Sequence, residues 1–211
     1  NWGTAAGYAF NMIAKKVAEA RVRGMRLVVV DPYMSVSAEK ADEWVPIRPG
    51  TDAALALGMI HVLLHELNIY DAEYLKKYTN APYLIGPNGY YVRDEVTRKP
   101  LLWDAATASA RPHDSANIVD PALEGEFRVA GVDCTPAFAV LKEHVKLYTP
   151  EKAEAISTVP AMTVRRLARE WGEAARIGST VTIQGKTLPL RPVAAHEFKG
   201  PNGHKHQLPN A

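Results

Sequence analysis

Apolar residues recur at three- and four-residue spacing between Thr4 and Arg23, through Ala6, Phe10, Ile13, Val17 and Ala20. That period gathers them on one face of a helix, and Gly24 is a natural C-terminal stop. The pattern then changes. Leu27-Val28-Val29-Val30 is a continuous apolar run ending in Asp31-Pro32, which predicts a parallel strand buried on both faces. Trp44 to Ile47 predicts a shorter strand and Arg48-Pro49-Gly50 a turn. Thr51 or Asp52 then caps a helix running to about Leu67, and a short helix follows over Asp71 to Tyr78. The order is helix, strand, strand, helix, helix, and a strand ahead of Asn1 would complete a β-α-β unit. Such alternation predicts an α/β fold: an open parallel sheet with flanking helices, of the dinucleotide-binding type.

Near Asn80 the character shifts. Tyr83 to Ile85, Tyr90 to Arg93 and Leu101 to Trp103 are short strand candidates, with Pro87-Asn88-Gly89 as a turn. Ala105 to Glu124 has little periodicity and many turn formers, which predicts loop, and Phe127 to Asp133 suggests a small hairpin. Helices resume over Pro136 to Tyr148, from Thr149-Pro150-Glu151 to the break at Val159-Pro160, and over Ala161 to Ala175. Ser179 to Gln184 and Leu188 to Ala195 are further strand candidates around a Gly185-Lys186 turn. The expected organisation is 1–80 as the first part of an α/β domain and 81–134 as a β-rich insertion. Residues 135–178 then form its helical part, and 179–211 a strand and loop leading towards a neighbouring domain.

The 211 residues carry 25 Lys and Arg against 23 Asp and Glu, a formal charge of +2, with 47% hydrophobic residues. This is the balance of a folded globular protein. A charge of +2 is no electrostatic footprint for nucleic acid, so no nucleic-acid partner is inferred. The single cysteine, Cys134, cannot by itself make an internal disulfide, a zinc cluster or an iron–sulfur cluster. Beside Asp133 and Thr135 it reads as structural. His61 and His65 have metal-like spacing but no H-E-x-x-H pattern, so they read as core or surface residues.

Three loops carry candidate chemistry. Asn1-Trp2-Gly3-Thr4-Ala5-Ala6-Gly7 places small residues at a strand-to-helix junction, where backbone N–H groups can approach a phosphate; it reads equally as a tight turn. Asp31-Pro32 ends the apolar strand, where an acid can accept from ribose hydroxyls or start a turn. In Arg48-Pro49-Gly50-Thr51-Asp52, the Thr and Asp serve as a helix cap or face a ligand, and a carboxylate can accept paired N–H bonds from a guanine edge. In an open parallel sheet these loops share one edge, where ligands bind. His204-Lys205-His206 reads as an anion contact or a solvated tail. There is no Ser-His-Asp order and no paired-carboxylate motif, so no catalytic residue and no metal ligand is assigned.

Leu27-Val28-Val29-Val30-Asp31-Pro32, then Ala41-Asp42-Glu43-Trp44 and Arg48-Pro49-Gly50-Thr51-Asp52-Ala53-Ala54-Leu55, resemble the catalytic subunits of the dimethyl sulfoxide reductase family of molybdopterin oxidoreductases. Tyr78-Thr79-Asn80-Ala81-Pro82, Tyr148-Thr149-Pro150-Glu151, Arg165-Arg166-Leu167-Ala168 and His204-Lys205-His206 look like its polysulfide, thiosulfate, tetrathionate and phenylacetyl-CoA oxidoreductase branch. The resemblance implies a molybdenum or tungsten enzyme carrying two molybdopterin guanine dinucleotides. Asn1, Gly3 and Thr4 would hold a diphosphate, Asp31 and Pro32 would lie near the guanosine, and Gly50, Thr51 and Asp52 would read guanine. Tyr33 stands where the family often has Arg. The resemblance also implies a [4Fe-4S] cluster and a metal-ligand segment, neither of which this sequence carries, so a fragment, either an internal piece or one part of a split polypeptide, inactive alone, is expected. Partners would be the rest of the catalytic subunit, an iron–sulfur electron-transfer subunit, and with them a membrane anchor subunit. The compartment stays open between prokaryotic cytoplasm and periplasm, with membrane association through partners. Two other classes compete: a free-standing dinucleotide-binding dehydrogenase, which would prefer NAD, and a non-catalytic module derived from the family, which would bind no nucleotide.

Overall fold

Helix α1 (Asn11–Val22) stops where the backbone turns left-handed at Gly24, φ +95°. There Met25 N–H donates to Ala20 O at 3.0 Å and Gly24 N–H to Arg21 O at 2.9 Å, closing the last carbonyls of the helix. The computed structural model describes Trp2 and residues 11–196, so the helix start expected at Thr4 and the His204-Lys205-His206 tail lie outside the described residues. The chain forms two units, Asn1–Asn68 with Tyr148–Ala211, and Ile69–Leu147.

In the first unit, β1 (Val28–Val30) pairs in parallel with β2 (Glu43–Val45), Val28 opposite Glu43 and Val30 opposite Val45. Trp2 adds a parallel bridge to Val30. Pro46 has no N–H to donate, so β2 ends there rather than running to Ile47. Among the described residues this pair and bridge are the parallel pairings, and every other ladder is antiparallel. Between the strands lies α2 (Val36–Glu39), whose buried Ser35 caps it by accepting from Ala38 N–H at 3.4 Å.

The strands are covered by α3 (Asp52–His61), α6 (Pro150–Ser157) and α7 (Ala161–Ala174). Helix α3 continues as one π-helical turn, Val62–Glu66, which closes the segment expected as a single helix. Val30, Val45, Ile47, Leu55, Ala153, Val159, Val164 and Leu167 form the core, with Trp2, Val28 and Met59 packed against it. Thr149 caps α6 by accepting from Lys152 N–H at 3.3 Å, and Thr158 ends it at φ +68°. Glu154 accepts from Ala161 N–H at 2.9 Å, placing a carboxylate at the N-terminus of α7, where the helix dipole favours it. The hairpin β8 (Thr180–Ile183) and β9 (Lys186–Pro189) turns at Gln184 and Gly185, both at positive φ, one residue earlier than expected. Its second strand begins at Lys186 and stops at Pro189, short of the predicted Ala195.

The second unit holds α4 (Ala72–Tyr78), α5 (Ala137–Val145) and two antiparallel sheets. One has the order β3 (Leu84–Ile85), β7 (Val132–Pro136), β6 (Phe127–Val129). The other pairs β4 (Leu101–Asp104) with β5 (Ser109–Pro112). Strand β5 lies in the stretch expected as loop. Its residues Ser109-Ala110-Arg111-Pro112 are all half-buried, so no alternation of polarity marks it. Asp104 organises the turn before it: the buried carboxylate accepts from Asp120 N–H at 2.9 Å, Thr107 Oγ1 at 3.0 Å and Ala106 N–H at 3.3 Å. The Asp120 N–H leads these bonds in holding its carboxyl below the usual range. Tyr90 to Arg93 makes isolated bridges at Tyr91 and Arg93 rather than a full strand. Leu84, Leu101 and Cys134 form the core, with the Trp103 and Phe127 rings stacked at 4.6 Å.

Two outcomes test this packing. A Cβ on Gly58 of α3 would lie 2.7 Å from Ala153 Cβ of α6, so Gly58→Ala is expected to cost about 1–3 kcal/mol in urea unfolding. Hydrogen bonding to Arg165 holds the Glu151 carboxyl at about 2 against an ordinary 4.5, so its contribution is complete above pH 4.5 and fades towards pH 2. Urea midpoints of the parent and Glu151→Gln should therefore differ at pH 7 and converge on acidification.

Candidate functional site

Parallel pairing sets the ends of β1 and β2 on one edge, together with the chain leaving Trp2. Asp31 follows β1 directly and is 7% exposed. Its N–H donates to Val45 O at 3.3 Å, its carboxylate accepts from Tyr33 N–H at 3.3 Å, and its carbonyl accepts from Trp44 Nε1 at 2.9 Å. Strand, turn and neighbouring indole thus fix Asp31 from three sides. Pro32 and Tyr33 beyond it are exposed.

The second loop hangs from α6. Ser157 is buried; its hydroxyl donates to Ala153 O at 2.7 Å and accepts from Val159 N–H at 3.2 Å. Its carbonyl accepts from Arg48 N–H at 3.0 Å. From Arg48 the chain turns through Gly50 at φ +78°, a conformation that glycine adopts without strain. Thr51 Oγ1 donates to Arg48 O at 2.6 Å, so its side chain closes the turn instead of capping α3. Asp52 opens the helix, is 7% exposed, and accepts from Trp2 Nε1 at 2.6 Å.

Of the residues singled out in the sequence, Asp31, Pro32, Gly50, Thr51 and Asp52 therefore follow two strands that end on one edge. Asn1, Gly3 and Thr4 lie outside the described residues. Trp2 was not singled out, yet it pairs beside Val30 and donates to Asp52. The available signal was its position inside the Asn1–Thr4 phrase, as a side chain with a single N–H donor and no acceptor.

The opposite edge carries different electrostatics. Arg166 of α7 forks onto Glu43 at the start of β2 and reaches Glu170 at 3.0 Å, while Arg26 bonds both Glu43, at 2.6 Å, and Glu170. Asp42 accepts from Leu27 N–H at 2.7 Å and from Arg21 at 3.0 Å, and the Leu27 bond leads in lowering its carboxyl. Each acid there is paired with an arginine. At the edge carrying Asp31 and Asp52, the two nearly buried carboxylates accept from the Tyr33 N–H and the Trp2 indole N–H. Carboxylate acceptors on one edge suit a ligand that bears N–H and O–H donors.

Metal chemistry has no such set: among the described residues no group of three or more His, Cys, Asp or Glu is placed to hold an ion. The His61 and His65 rings lie 5.1 Å apart, tilted against one another. Cys134 is buried, donates to Phe127 O at 3.3 Å, and has its thiol pushed up by burial. Among the described residues, no helix is long and apolar enough to cross a membrane.

Comparison with known proteins bears on the family of the chain. The family model described as molybdopterin oxidoreductase matches residues 2–184. The chain is 35% identical over 188 residues to one of the subunits of sulfite dehydrogenase from Allochromatium vinosum, covering 82% of this chain and 19% of that protein. It is 32% identical over 200 residues to the alpha subunit of perchlorate reductase from Dechloromonas aromatica, covering 75% of this chain and 22% of that one. The structure of acetylene hydratase from Pelobacter acetylenicus aligns with a TM-score of 0.48 and 24% identity, over 81% of this chain and 16% of that chain. The chain spans about a fifth of the length of the curated relatives it matches. With the family model covering nearly all of the described residues, this chain belongs to the molybdopterin oxidoreductase family.

Proposed function

We propose that this chain holds the guanine dinucleotide end of one molybdopterin guanine dinucleotide in the catalytic subunit of a molybdenum or tungsten oxidoreductase. The observation that carries this reading is the buried Asp52 carboxylate at the start of α3, on the edge where β1 delivers Asp31. Asp52 accepts two N–H bonds from the guanine edge. Asp31 accepts from ribose hydroxyls. Asn1, Gly3 and Thr4 give backbone N–H groups to the diphosphate, and Pro32, Gly50 and Thr51 shape the walls. The open parallel sheet belongs to this reading, with the β1–β2 pair as part of it and 81–134 as an insertion in the nucleotide-binding domain.

When bound, the cofactor supplies a redox-active metal for oxygen-atom or electron transfer, at the end remote from the guanine. The residues here bind and orient. None is assigned to the chemical step. A [4Fe-4S] cluster, a membrane anchor subunit, and with them an iron–sulfur partner subunit complete the proposed enzyme. Relatives that are named as single subunits of their enzymes support an assembly of several chains.

The test uses the full-length holoenzyme. A hydrogen bond to a charged group is worth about 1.5–3 kcal/mol, roughly ten- to a hundredfold in affinity. Asp52→Ala should therefore lower the guanine nucleotide released per enzyme on acid treatment at limiting cofactor towards about half of the parental amount, the share of the second cofactor remaining. Parental guanine content in that variant would overturn the reading.

A further inference from the structure

We propose that Trp2 is a positioning residue for base recognition: its indole N–H fixes the Asp52 carboxylate in the orientation that accepts guanine. The inference rests on the reading of Asp52 as the guanine acceptor and adds a residue outside the loop that carries it.

The geometry is specific. Trp2 Nε1 lies 2.6 Å from Asp52 Oδ1, across fifty positions of sequence. An indole has one N–H and no acceptor, so the direction of this bond is not ambiguous. The donor is itself held in place. Trp2 N–H donates to His196 O at 2.9 Å, its backbone bridges Val30, and its ring packs against the core that contains Leu55 and Val164. The indole therefore brings Asp52 a donor whose position the backbone and the core set, rather than solvent.

An ionised carboxylate offers about four acceptor positions over its two oxygens. The indole takes one on Oδ1. Guanine needs one on each oxygen, for its ring N–H and its exocyclic amine. The indole bond restricts rotation of the carboxyl plane before the base arrives. Less side-chain freedom is then lost on binding.

The experiment measures GMP and IMP affinity by calorimetry on full-length enzyme isolated without cofactor. IMP lacks the exocyclic amine. Trp2→Phe keeps an aromatic ring and removes the donor. A benzothienylalanine at position 2 keeps the indole shape, also without the donor, and serves if Phe perturbs folding. Either change should weaken GMP about three- to tenfold, the range of the ordering cost of one side chain. It should shrink the preference for GMP over IMP, and it should have no further effect when combined with Asp52→Ala. Equal weakening of GMP and IMP, an undiminished effect in the Asp52→Ala background, or no effect of either change would overturn the proposal. Should Asp52→Ala alone leave GMP affinity intact, the guanine reading itself fails, a result distinct from the loss of coupling.

Discussion

The parallel register of β1 with β2 is the constraint on which the first unit depends. Parallel strands cannot be joined by a tight turn, because the chain must return to the same end before it pairs again. Here the return is made through α2 and its capping Ser35. The cost of that topology is a strand pair with two apolar faces, and Val29 and Val30 at 1% and 7% exposure show how fully it is covered. The benefit is directional. What leaves one strand emerges beside what leaves the next, so residues 21 positions apart, Asp31 and Asp52, are delivered to a common edge.

The two ends of the strand pair handle charge in different ways. At the entrance, Arg26, Glu43, Arg166 and Glu170 neutralise one another in a partly exposed network. Such a network contributes modestly to stability and mostly to register. At the exit, Asp31 accepts from a backbone N–H and Asp52 from an indole N–H. The phrase Ala41-Asp42-Glu43-Trp44 serves both ends. Asp42 and Glu43 anchor the entrance and Trp44 Nε1 reaches the carbonyl of Asp31 at the exit.

Much of this was legible in the sequence. Leu27 to Val30 could be read as a buried parallel strand because a continuous apolar run suits nothing polar on either face. Gly24, Thr149 and Pro150 marked helix ends through their own backbone chemistry. Asp31 and Asp52 could be placed on one edge once parallel pairing was assumed. Strand β5 was not legible, because its pairing is decided by β4 and by the bonds Asp104 collects, not by its own polarity. The position of the β8–β9 turn depended on two positive φ angles, of which the Gln184 one has no compositional mark. Thr51 looked like a cap, and only the three-dimensional turn shows its hydroxyl directed to Arg48 O. Trp2 was invisible as a partner of Asp52 because no periodicity links residues so far apart.

The core of the first unit is assembled from two stretches of chain, one ending at Asn68 and the other beginning at Tyr148. That arrangement has a consequence for the order of events on the ribosome. Leu55 and the edge residues Asp31 and Asp52 emerge early, but Ala153, Val159, Val164 and Leu167, which complete the core with Leu55, emerge about 100 residues later. At about 5–20 residues per second the early half waits roughly 5–20 s for its covering helices. During that interval the Ile69–Leu147 unit, with a core of its own in Leu84, Leu101 and Cys134, is synthesised whole. The intervening unit is thus positioned in time to fold before the unit that surrounds it in sequence, and the edge at Asp31 and Asp52 is packed only after that unit has been made.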